Sequence, residues 1–594
     1  MTIQTLAELF LTTAGHDKPE HLLHKVGGVY TPISTATFVA NVRQLAKALR
    51  DLGVGRGDRI ALMAENGPHW PAVDFATLAI GAALVPIYPT LLPEQAAYIV
   101  RDSGSKVVFV HGRERLEGLL AIKAEMPAAE RFVLIGGSGG GDATDLEFLV
   151  AAGAGADPAQ FEAEARLARP DDLATLIYTS GTTGNPKGVM LTHGNITSNV
   201  VSGLEALDIS ADWTALSFLP LAHSFERTVD YIYFYRGCTI AYAESVQTVA
   251  QNLGEVRPQV FVSVPRVYEK VLGRVQENVA KSSSTKQKIF RWACDVGREA
   301  LPWRLRHESP SGLLGIKLAL ADHLVFGKIR ERLGGRFVMA VSGGAPLGRD
   351  VAEFFWAAGV PIYEGYGLTE TSPVLTVNQR GGTKLGTVGR AIDGITLRIA
   401  SDGEILAQGP NIMKGYFNNP QATAEVVDAE GWFHTGDIGE IDGEGYLRIT
   451  DRKKELIVNA YGKNIAPAPI ENDLKASRWI GQAVVIGDKR QFLAALIVPD
   501  FETLKAWAER EGLAATDPHA LVQDPKVRAM IKADVDHVNT HLARYEQIRA
   551  WELLPNEFTL ETGELTPTQK VKRRVILQKY GETIERLYRE GEPG

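Results

Sequence analysis

Residues 173–195 read LATLIYTSGTTGNPKGVMLTHGN. An apolar run, Leu173 to Tyr178, stops at Thr179, Ser180, Gly181, Thr182, Thr183, Gly184, Asn185, Pro186, Lys187 and Gly188, and a second apolar run, Val189 to Leu191, follows. Strand, loop, strand is the expected local structure. Glycine tolerates positive φ and lets the chain approach a ligand closely, so a loop with three glycines, four hydroxyls and one lysine can curl its N–H groups around an anion. A polyphosphate is the ligand it suits. The Walker loop of NTPases is a different object, needing Gly directly before its Lys, Ser or Thr directly after, and a helix behind. Here Pro186 precedes Lys187 and Gly188 follows. Taken alone, TSGTTG is also ordinary turn chemistry.

The full string resembles the phosphate loop of the AMP-forming adenylating enzymes: acyl-CoA synthetases, luciferases and peptide-synthetase adenylation domains. Two further stretches bear on that resemblance. Ser342, Gly343, Gly344, Ala345 and Pro346 end an expected strand, Phe337 to Val341, in another close-approach turn, and YEGYGLTE (Tyr363 to Glu370) follows a second strand-like run. Tyr366 offers a flat face for adenine beside Gly367, Thr369 a hydroxyl for the α-phosphate, and Glu370 a carboxylate for Mg²⁺, a hard ion that takes few protein ligands plus substrate phosphates. The resembled family gives the matching positions those roles. In GWFHTGDIGEI, Asp437 is either a turn cap or, as the resemblance implies, the acceptor for both ribose hydroxyls. In ITDRKKELI, Arg452 matches its ribose partner and Lys454 the hinge between a large and a small domain.

His223 lies in LSFLPLAHSFERT (Leu216 to Thr228), read as an apolar strand ending in Pro220, His223, Phe225 and Arg227. A histidine in such a place is a core or turn residue as readily as a catalytic one. The resembled enzymes place a His or aromatic here, close to the substrate carboxylate and α-phosphate. In some long-chain members a bulky aromatic further along gates the fatty-acid tunnel; here the nearby positions carry Glu226 and Arg227. Near the end lies ELTPTQKVKRR (Glu564 to Arg574), similar to the end of long-chain synthetases. Lys570 matches the mobile catalytic lysine. Lys572 is the alternative, because Gln569 stands where the family usually has Gly.

These residues need a frame, and 594 residues imply two to four domains, at roughly 100 to 200 residues each. Hydrophobic residues make up 45% and charged residues 23%, so a large core can be buried and wholesale disorder is not expected. The net charge of −8 argues against a nucleic-acid binder held by phosphate neutralisation and requires local basic groups wherever an anionic substrate is met. Only Cys238 and Cys294 occur, far apart and without His or Cys at ligand spacing, so neither a disulfide framework nor a zinc site is expected. A reducing cytoplasm fits. Glu8 within the first short apolar run, with no basic residue before it, is unlike a signal peptide. The longest apolar stretch, Phe75 to Tyr88, is 14 residues and holds Pro86, short of the roughly 18 expected of a membrane-crossing helix.

From Thr37 to Leu52, apolar residues at helical spacing predict a helix stopped by Gly53 and Gly55. Strands at Arg59 to Met63 and Lys106 to Val110, with helices Trp70 to Ala82 and Glu94 to Asp102 between them, imply a mostly parallel α/β sheet. GGSGGG (Gly136 to Gly141) and the Ala/Gly-rich segment after Val150 read as surface connections. Arg266 to Arg336 is expected to be mainly helical and carries 15 Lys and Arg against 7 Asp and Glu, with Phe290, Trp292 and Trp303 interleaved. Such a segment either sits on anionic lipid headgroups, giving access to fatty acids in the bilayer, or is a solvated face. It resembles long-chain acyl-CoA synthetases more than the shorter-chain or aryl-acid branches. After Arg452 the pattern changes to a small α+β unit with strands Ala483 to Gly487 and Phe492 to Val498, opened by YGKNIAP, where Gly462 allows a pantetheine arm to come close.

The resemblance, which covers nearly the whole chain, implies an α/β fold: an adenylating body over 1–451 that is itself subdivided, and a small mobile α+β lid over 452–594. It implies carboxylate plus MgATP giving acyl-adenylate and pyrophosphate, then coenzyme A giving acyl-CoA and AMP, with a fatty acid, ATP and CoA as substrates and no nucleic-acid partner. Three alternatives are weighed: an acyl-AMP ligase loading a carrier protein, which would share every adenylation motif, an aryl- or medium-chain ligase, which would differ in tunnel length, and a non-catalytic nucleotide or lipid sensor, which would be expected to have lost Lys570, Glu370 or Lys187, all of which are present. The expected location is cytoplasmic, with peripheral contact at the inner membrane surface.

Overall fold

The computed structural model describes residues 3–590 apart from 138–142, 180–184, 246, 454, 462, 514–516 and 567–569. Its first large sheet has eight strands, in the order Gly415–Tyr416, Lys187–Thr192, Leu173–Thr179, Ala83–Ile87, Arg59–Met63, Val107–His111, Arg131–Ile135 and Ala143–Asp145. The middle strands are parallel, and Lys187–Thr192 runs antiparallel to both its neighbours. Arg59–Met63 and Val107–His111 are buried along almost their whole length, which is why they read as unbroken apolar runs. The strand Ala83–Ile87 escapes a periodicity argument for the same reason. Within Phe75 to Tyr88, helix His69–Ala79 passes into that strand with only Gly81, at φ +73, to mark the break.

The second large sheet has nine strands, in the order Arg390–Ala391, Val374–Val377, Ile362–Gly367, Met339–Ser342, Val260–Ser263, Thr214–Ser217, Thr239–Tyr242, Leu22–Val26 and Val29–Ile33. It is parallel through the middle and antiparallel at both margins. Helix Thr35–Asp51 buries Phe38, Val42, Leu45 and Leu49 in the core between these layers, and its Ser34 cap accepts from the Thr37 N–H at 3.1 Å.

The reading of Leu216 to Thr228 as one strand is corrected. The strand is Thr214–Ser217, and Ser224–Arg236 is a helix capped by His223. Phe225, Glu226 and Arg227 are therefore helical. Arg227 is buried and donates to Asp74 at 3.1 and 2.5 Å, to the Tyr231 hydroxyl at 2.9 Å and to Thr175 at 2.8 Å. Burial works against its charge, and Asp74 and Tyr231 more than offset that, so its pKa is raised. With its donors committed inside the core, Arg227 is an ion-paired tie between helices and sheet rather than a swinging gate.

Contacts divide the chain into two units. One takes 1–398, 406–435 and 441–448; the other takes 399–405, 436–440 and 449–594. This differs from a linear boundary at 451/452 by assigning two short earlier segments and residues 449–451 to the second unit. The four-stranded sheet Thr396–Ile399, Glu404–Gln408, Phe433–Ile441 and Leu447–Arg452 supplies residues to both. The second unit has its own apolar cluster, including Leu474, Val484, Leu496, Leu504, Ile531 and Ile576. Its sheet pairs Ile480–Ile486 antiparallel with Leu493–Pro499, which pairs parallel with Ile548–Leu553. That third strand, IRAWEL, was not expected, since its half-exposed residues show no clear alternation. Among the described residues no helix is long and apolar enough to cross a membrane.

Candidate active site

The loop of Thr179 to Gly188 closes a hairpin, with Thr179 paired to Lys187 across its base. Ser180, Gly181, Thr182, Thr183 and Gly184 lie outside the described residues. The base is held by Tyr178, whose hydroxyl donates to Asp102 at 2.6 Å, and by Tyr98, whose hydroxyl donates to the Pro186 carbonyl at 3.3 Å. A cavity of about 300 Å³ opens beside Lys187, lined by Tyr98, Asp102, Asn185, Phe417 and Asn418 among others.

Lys187 Nζ stands 5.0 Å from the ring centroid of Tyr416, and the Tyr416 hydroxyl donates to Glu370 Oε1 at 2.9 Å. Burial, then the charge of Glu370 and the hydrogen bond to it, raises the Tyr416 pKa, so the phenol stays a donor. The lysine of the loop and the carboxylate of YGLTE are thus joined through one aromatic side chain. Sequence reasoning missed Tyr416. It sits in a two-residue strand, Gly415–Tyr416, paired with Lys187–Thr192, and only that cross-strand pairing reveals it.

Thr369 is buried, with its Oγ1 3.3 Å from Ser224 Oγ. The preceding residue is His223, whose Nδ1 accepts the Phe225 N–H at 3.1 Å. A proton on neutral His223 is therefore on Nε2. The Phe225 ring also explains Gly343, where a Cβ would come within 2.7 Å of Phe225 Cζ. Gly344 has φ +78, as a close-approach turn requires. Ser342 Oγ, just before this turn, is buried with no hydrogen-bond partner among the described residues. Ala345 lies in the same loop between Met339–Ser342 and helix Arg349–Ala357.

Tyr366 and Gly367 end the strand Ile362–Gly367, with a register shift between them. A Cβ at Gly367 would lie 1.8 Å from the Pro373 carbonyl oxygen, so only glycine fits. Tyr366 is half-buried, on the same side of the strand as Glu364 by alternation. Glu364 is a residue sequence reasoning did not single out; burial pushes its pKa up to about 8, against an opposing hydrogen bond from the Leu347 backbone.

Asp437 and Arg452 belong to the second unit and form an ion pair, with Arg452 Nε 3.1 Å from Asp437 Oδ1. Asp437 is buried while the Arg452 side chain is 45% exposed. Lys454 and Gly462 lie outside the described residues, but their flanks are described. Lys453 bridges Asp402 at 2.7 Å and Glu404 at 2.9 Å. Asn459 accepts the N–H groups of both Tyr461 and Lys463, at 3.0 and 2.9 Å. Lys570 is exposed on a hairpin whose backbone pairs Thr566 N–H with the Lys570 carbonyl at 2.8 Å, next to a bridge between Leu565 and Val571. Lys572, its competitor, is half-buried and precedes helix Arg573–Lys579.

In the first unit the fold therefore brings together Lys187, Glu370, Thr369, His223 and Gly343 from four separate stretches. Among the described residues no group of three or more His, Cys, Asp or Glu could hold a metal ion. A single half-buried carboxylate, steadied by a phenol, does fit an ion that takes most of its oxygen ligands from substrate phosphates and water, as Mg²⁺ does.

Comparisons with known proteins give the family and the fold. The AMP-binding enzyme family matches residues 13–417, and the AMP-binding enzyme C-terminal domain matches residues 454–592. The chain is 40% identical over 580 residues to long-chain-fatty-acid--CoA ligase FadD15 of Mycobacterium tuberculosis, covering 96% of this chain and 95% of that protein. It is 34% identical over 593 residues to the peroxisomal long chain acyl-CoA synthetase 7 of Arabidopsis thaliana, covering 95% and 82%. Among solved structures, the anthranilate CoA ligase AuaEII with anthranoyl-AMP superposes with a TM-score of 0.74 at 18% identity, covering 98% of each chain. ATP-bound MatB from Rhodopseudomonas palustris superposes with a TM-score of 0.71 at 23% identity, covering 97% and 99%. These two likenesses speak for the fold, an α/β body followed by a C-terminal domain. Matched in both of its parts and over nearly its full length, the chain belongs to the AMP-binding enzyme family.

Proposed function

We propose that the chain activates a long-chain fatty acid in two steps. A carboxylate oxygen attacks the α-phosphorus of ATP, the bond to the β-phosphate breaks, and pyrophosphate leaves. The sulfur of coenzyme A then attacks the acyl carbon of the acyl-adenylate, and AMP leaves. The observation that carries this reading is the link from Lys187 through Tyr416 to Glu370, which sets a cation and a carboxylate around the root of a glycine- and hydroxyl-rich loop. The named relatives, long-chain ligases aligned over almost the whole chain, support the substrate class.

In this reading Thr179, Ser180, Gly181, Thr182, Thr183, Gly184 and Lys187 hold the β- and γ-phosphates, and Gly343, Gly344, Ala345, Tyr366 and Gly367 receive the adenine. Asp437, ion-paired with Arg452, accepts from the ribose. Thr369 and Lys570 meet charge at the α-phosphate, and His223 faces the carboxylate being activated. Bound through Glu370, Mg²⁺ would neutralise phosphate charge as pyrophosphate departs. Lys454 is the hinge, close to the 451/452 boundary, and Gly462 admits the pantetheine arm.

Pyrophosphate release across carboxylic acids from about C2 to C20, with and without coenzyme A, tests the reading. Each further buried CH₂ contributes about 0.8 kcal/mol, so apparent affinity should climb about fourfold per carbon until the pocket ends. Acetate or benzoate as the best substrate by kcat/KM would refute the long-chain assignment. Acyl-adenylate that accumulates without consuming coenzyme A would mark a carrier-protein ligase instead.

Tyr416 gives a sharper test of the site. Tyr416→Phe keeps the ring beneath Lys187 and removes the hydrogen bond to Glu370, which as a bond to a charged acceptor is worth about 1.5 to 3 kcal/mol. Pyrophosphate release should fall by roughly tenfold or more at saturating acid, and Tyr416→Ala further still, since the ring is lost too. Wild-type kinetics in both variants would remove the linkage from the mechanism.

A further inference from the structure

Helix Gly312–Ala321, GLLGIKLALA, has two apolar faces and only one of them is covered. Leu314, Leu318 and Ala321 pack into a small core with Ala293, Val296 and Phe326. Leu313, Ile316 and Leu320, spaced i, i+3 and i+7 along the other face, are 68%, 69% and 50% exposed. Among the described residues no other helix exposes more than one large apolar side chain. Contiguous apolar surface of this kind on a soluble fold marks a place where something docks.

The surroundings say what. Within Arg266 to Arg336, Lys281 pairs with Glu277, Arg298 with Asp295, Arg306 with Glu308, and both Arg304 and Arg330 with Asp322. Lys317 on the helix itself, Lys286, Lys288 and Arg291 on the neighbouring helix Ser284–Glu299, and Lys328 just beyond have no carboxylate partner among the described residues. The apolar component differs from the one expected from sequence. Phe290 and Trp292 are largely turned into the small core and pack against it, so the exposed aliphatic triad takes the place given to the interleaved aromatics.

We propose that Leu313, Ile316 and Leu320 seat this helix at the headgroup boundary of an anionic lipid bilayer, with Lys286, Lys288, Arg291, Lys317 and Lys328 meeting the headgroups. Charge chooses this occupant. A second copy meeting the face symmetrically would set the same cations against each other, and a nucleic acid would leave the aliphatic centre unmatched. An anionic bilayer supplies negative charge and apolar depth together. A chain of net −8 is repelled by such a surface elsewhere, so a segment of net +8 also fixes which side approaches.

The experiment is co-sedimentation of the full chain with phosphatidylcholine vesicles containing none or about one third phosphatidylglycerol, at salt from about 0.05 to 0.5 M. The wild type should pellet with the anionic vesicles and be released as salt rises. The triple variant L313Q/I316Q/L320Q should partition on the order of tenfold or more weaker at every salt. The variant K286Q/K288Q/R291Q should bind weakly with a flattened salt dependence. No pelleting at low salt, equal pelleting with neutral vesicles, or an unchanged aliphatic variant overturns the proposal. So does a dimer in sedimentation velocity that L313Q/I316Q/L320Q converts to monomer, which would assign the face to a second copy. Vesicle binding requires no turnover, so failure of pyrophosphate release would count against the ligase reading and leave this one standing.

Discussion

Lys570→Ala should slow adenylation by on the order of 10² to 10³ or more, while thioester formation from supplied acyl-adenylate should continue near the wild-type rate. The asymmetry follows from where charge develops. Negative charge builds on the α-phosphate as the carboxylate attacks, and a placed ammonium stabilises that state more than the ground state. In the second step the attacked carbon is the acyl carbon, and AMP is already the leaving group.

The two candidate lysines, Lys570 and Lys572, differ in exposure. Beneath the Lys570 hairpin, buried Glu564 accepts from Lys579 at 2.6 Å. The following Arg573 donates to Glu471 at 2.6 Å and to the Val485 carbonyl at 2.5 Å, tying the hairpin to the second unit's core. Burial opposes the Arg573 charge and Glu471 restores it, so its pKa stands above the usual value. Lys570 is exposed above this fixed base, and Lys572 is half-buried at the start of helix Arg573–Lys579. The measurements are pyrophosphate release and acyl transfer from synthetic acyl-adenylate, on Lys570→Ala and Lys572→Ala in parallel. Equal impairment of both steps by Lys570→Ala, or loss of adenylation in Lys572→Ala alone, would overturn the assignment.

Asp74→Ala should cost about 3 to 5 kcal/mol of stability, because it leaves the Arg227 guanidinium charged and buried without its counter-ion. Both side chains are almost wholly buried, at 3% and 1% exposure. The Tyr231 hydroxyl, which donates to Asp74 at 2.5 Å and accepts from Arg227 Nε, would lose its acceptor as well. The double variant Asp74→Leu with Arg227→Met should recover most of the loss, since an apolar pair of similar volume needs no desolvation of charge. Denaturant unfolding of both variants checks this. A double variant no more stable than Asp74→Ala would mean that the pair contributes more than the removal of its own penalty. Arg227 is also one residue from Glu226, a second fully buried acid whose pKa is raised by burial and then by Asp230. The recovery therefore has to be read against unchanged pyrophosphate release, which shows that the His223 end of the helix has kept its place.

The sequence was most informative where chemistry depends on residue types in unbroken order. The hairpin around Thr179 to Lys187, the Gly343–Gly344 turn and the Tyr366 to Glu370 string are local, and local backbone rules constrain them. Helix Thr35–Asp51 was legible because one face meets water and the other the core, which imprints a period on the chain. The strand Ala83–Ile87 was not, because an element buried on all sides carries no period. Leu216 to Thr228 misled for a related reason. Helix Ser224–Arg236 is buried around most of its first three turns, with Glu226, Arg227 and Asp230 paired or desolvated inside, so its charged residues do not mark a solvent face.

By itself, then, the sequence determined the family, the turn glycines and which residue types suit nucleotide chemistry, since each depends on neighbours in the chain. Tertiary structure alone decided that Tyr416 joins Lys187 to Glu370, that Ser224, next to His223, meets Thr369, that the Phe225 ring crowds Gly343, and that Leu313, Ile316 and Leu320 are left facing outward. These are contacts between residues up to 229 positions apart, from Lys187 to Tyr416. Sheet order and helix packing set them, and no window of the chain records which of its apolar or aromatic residues will find a partner when the layers close.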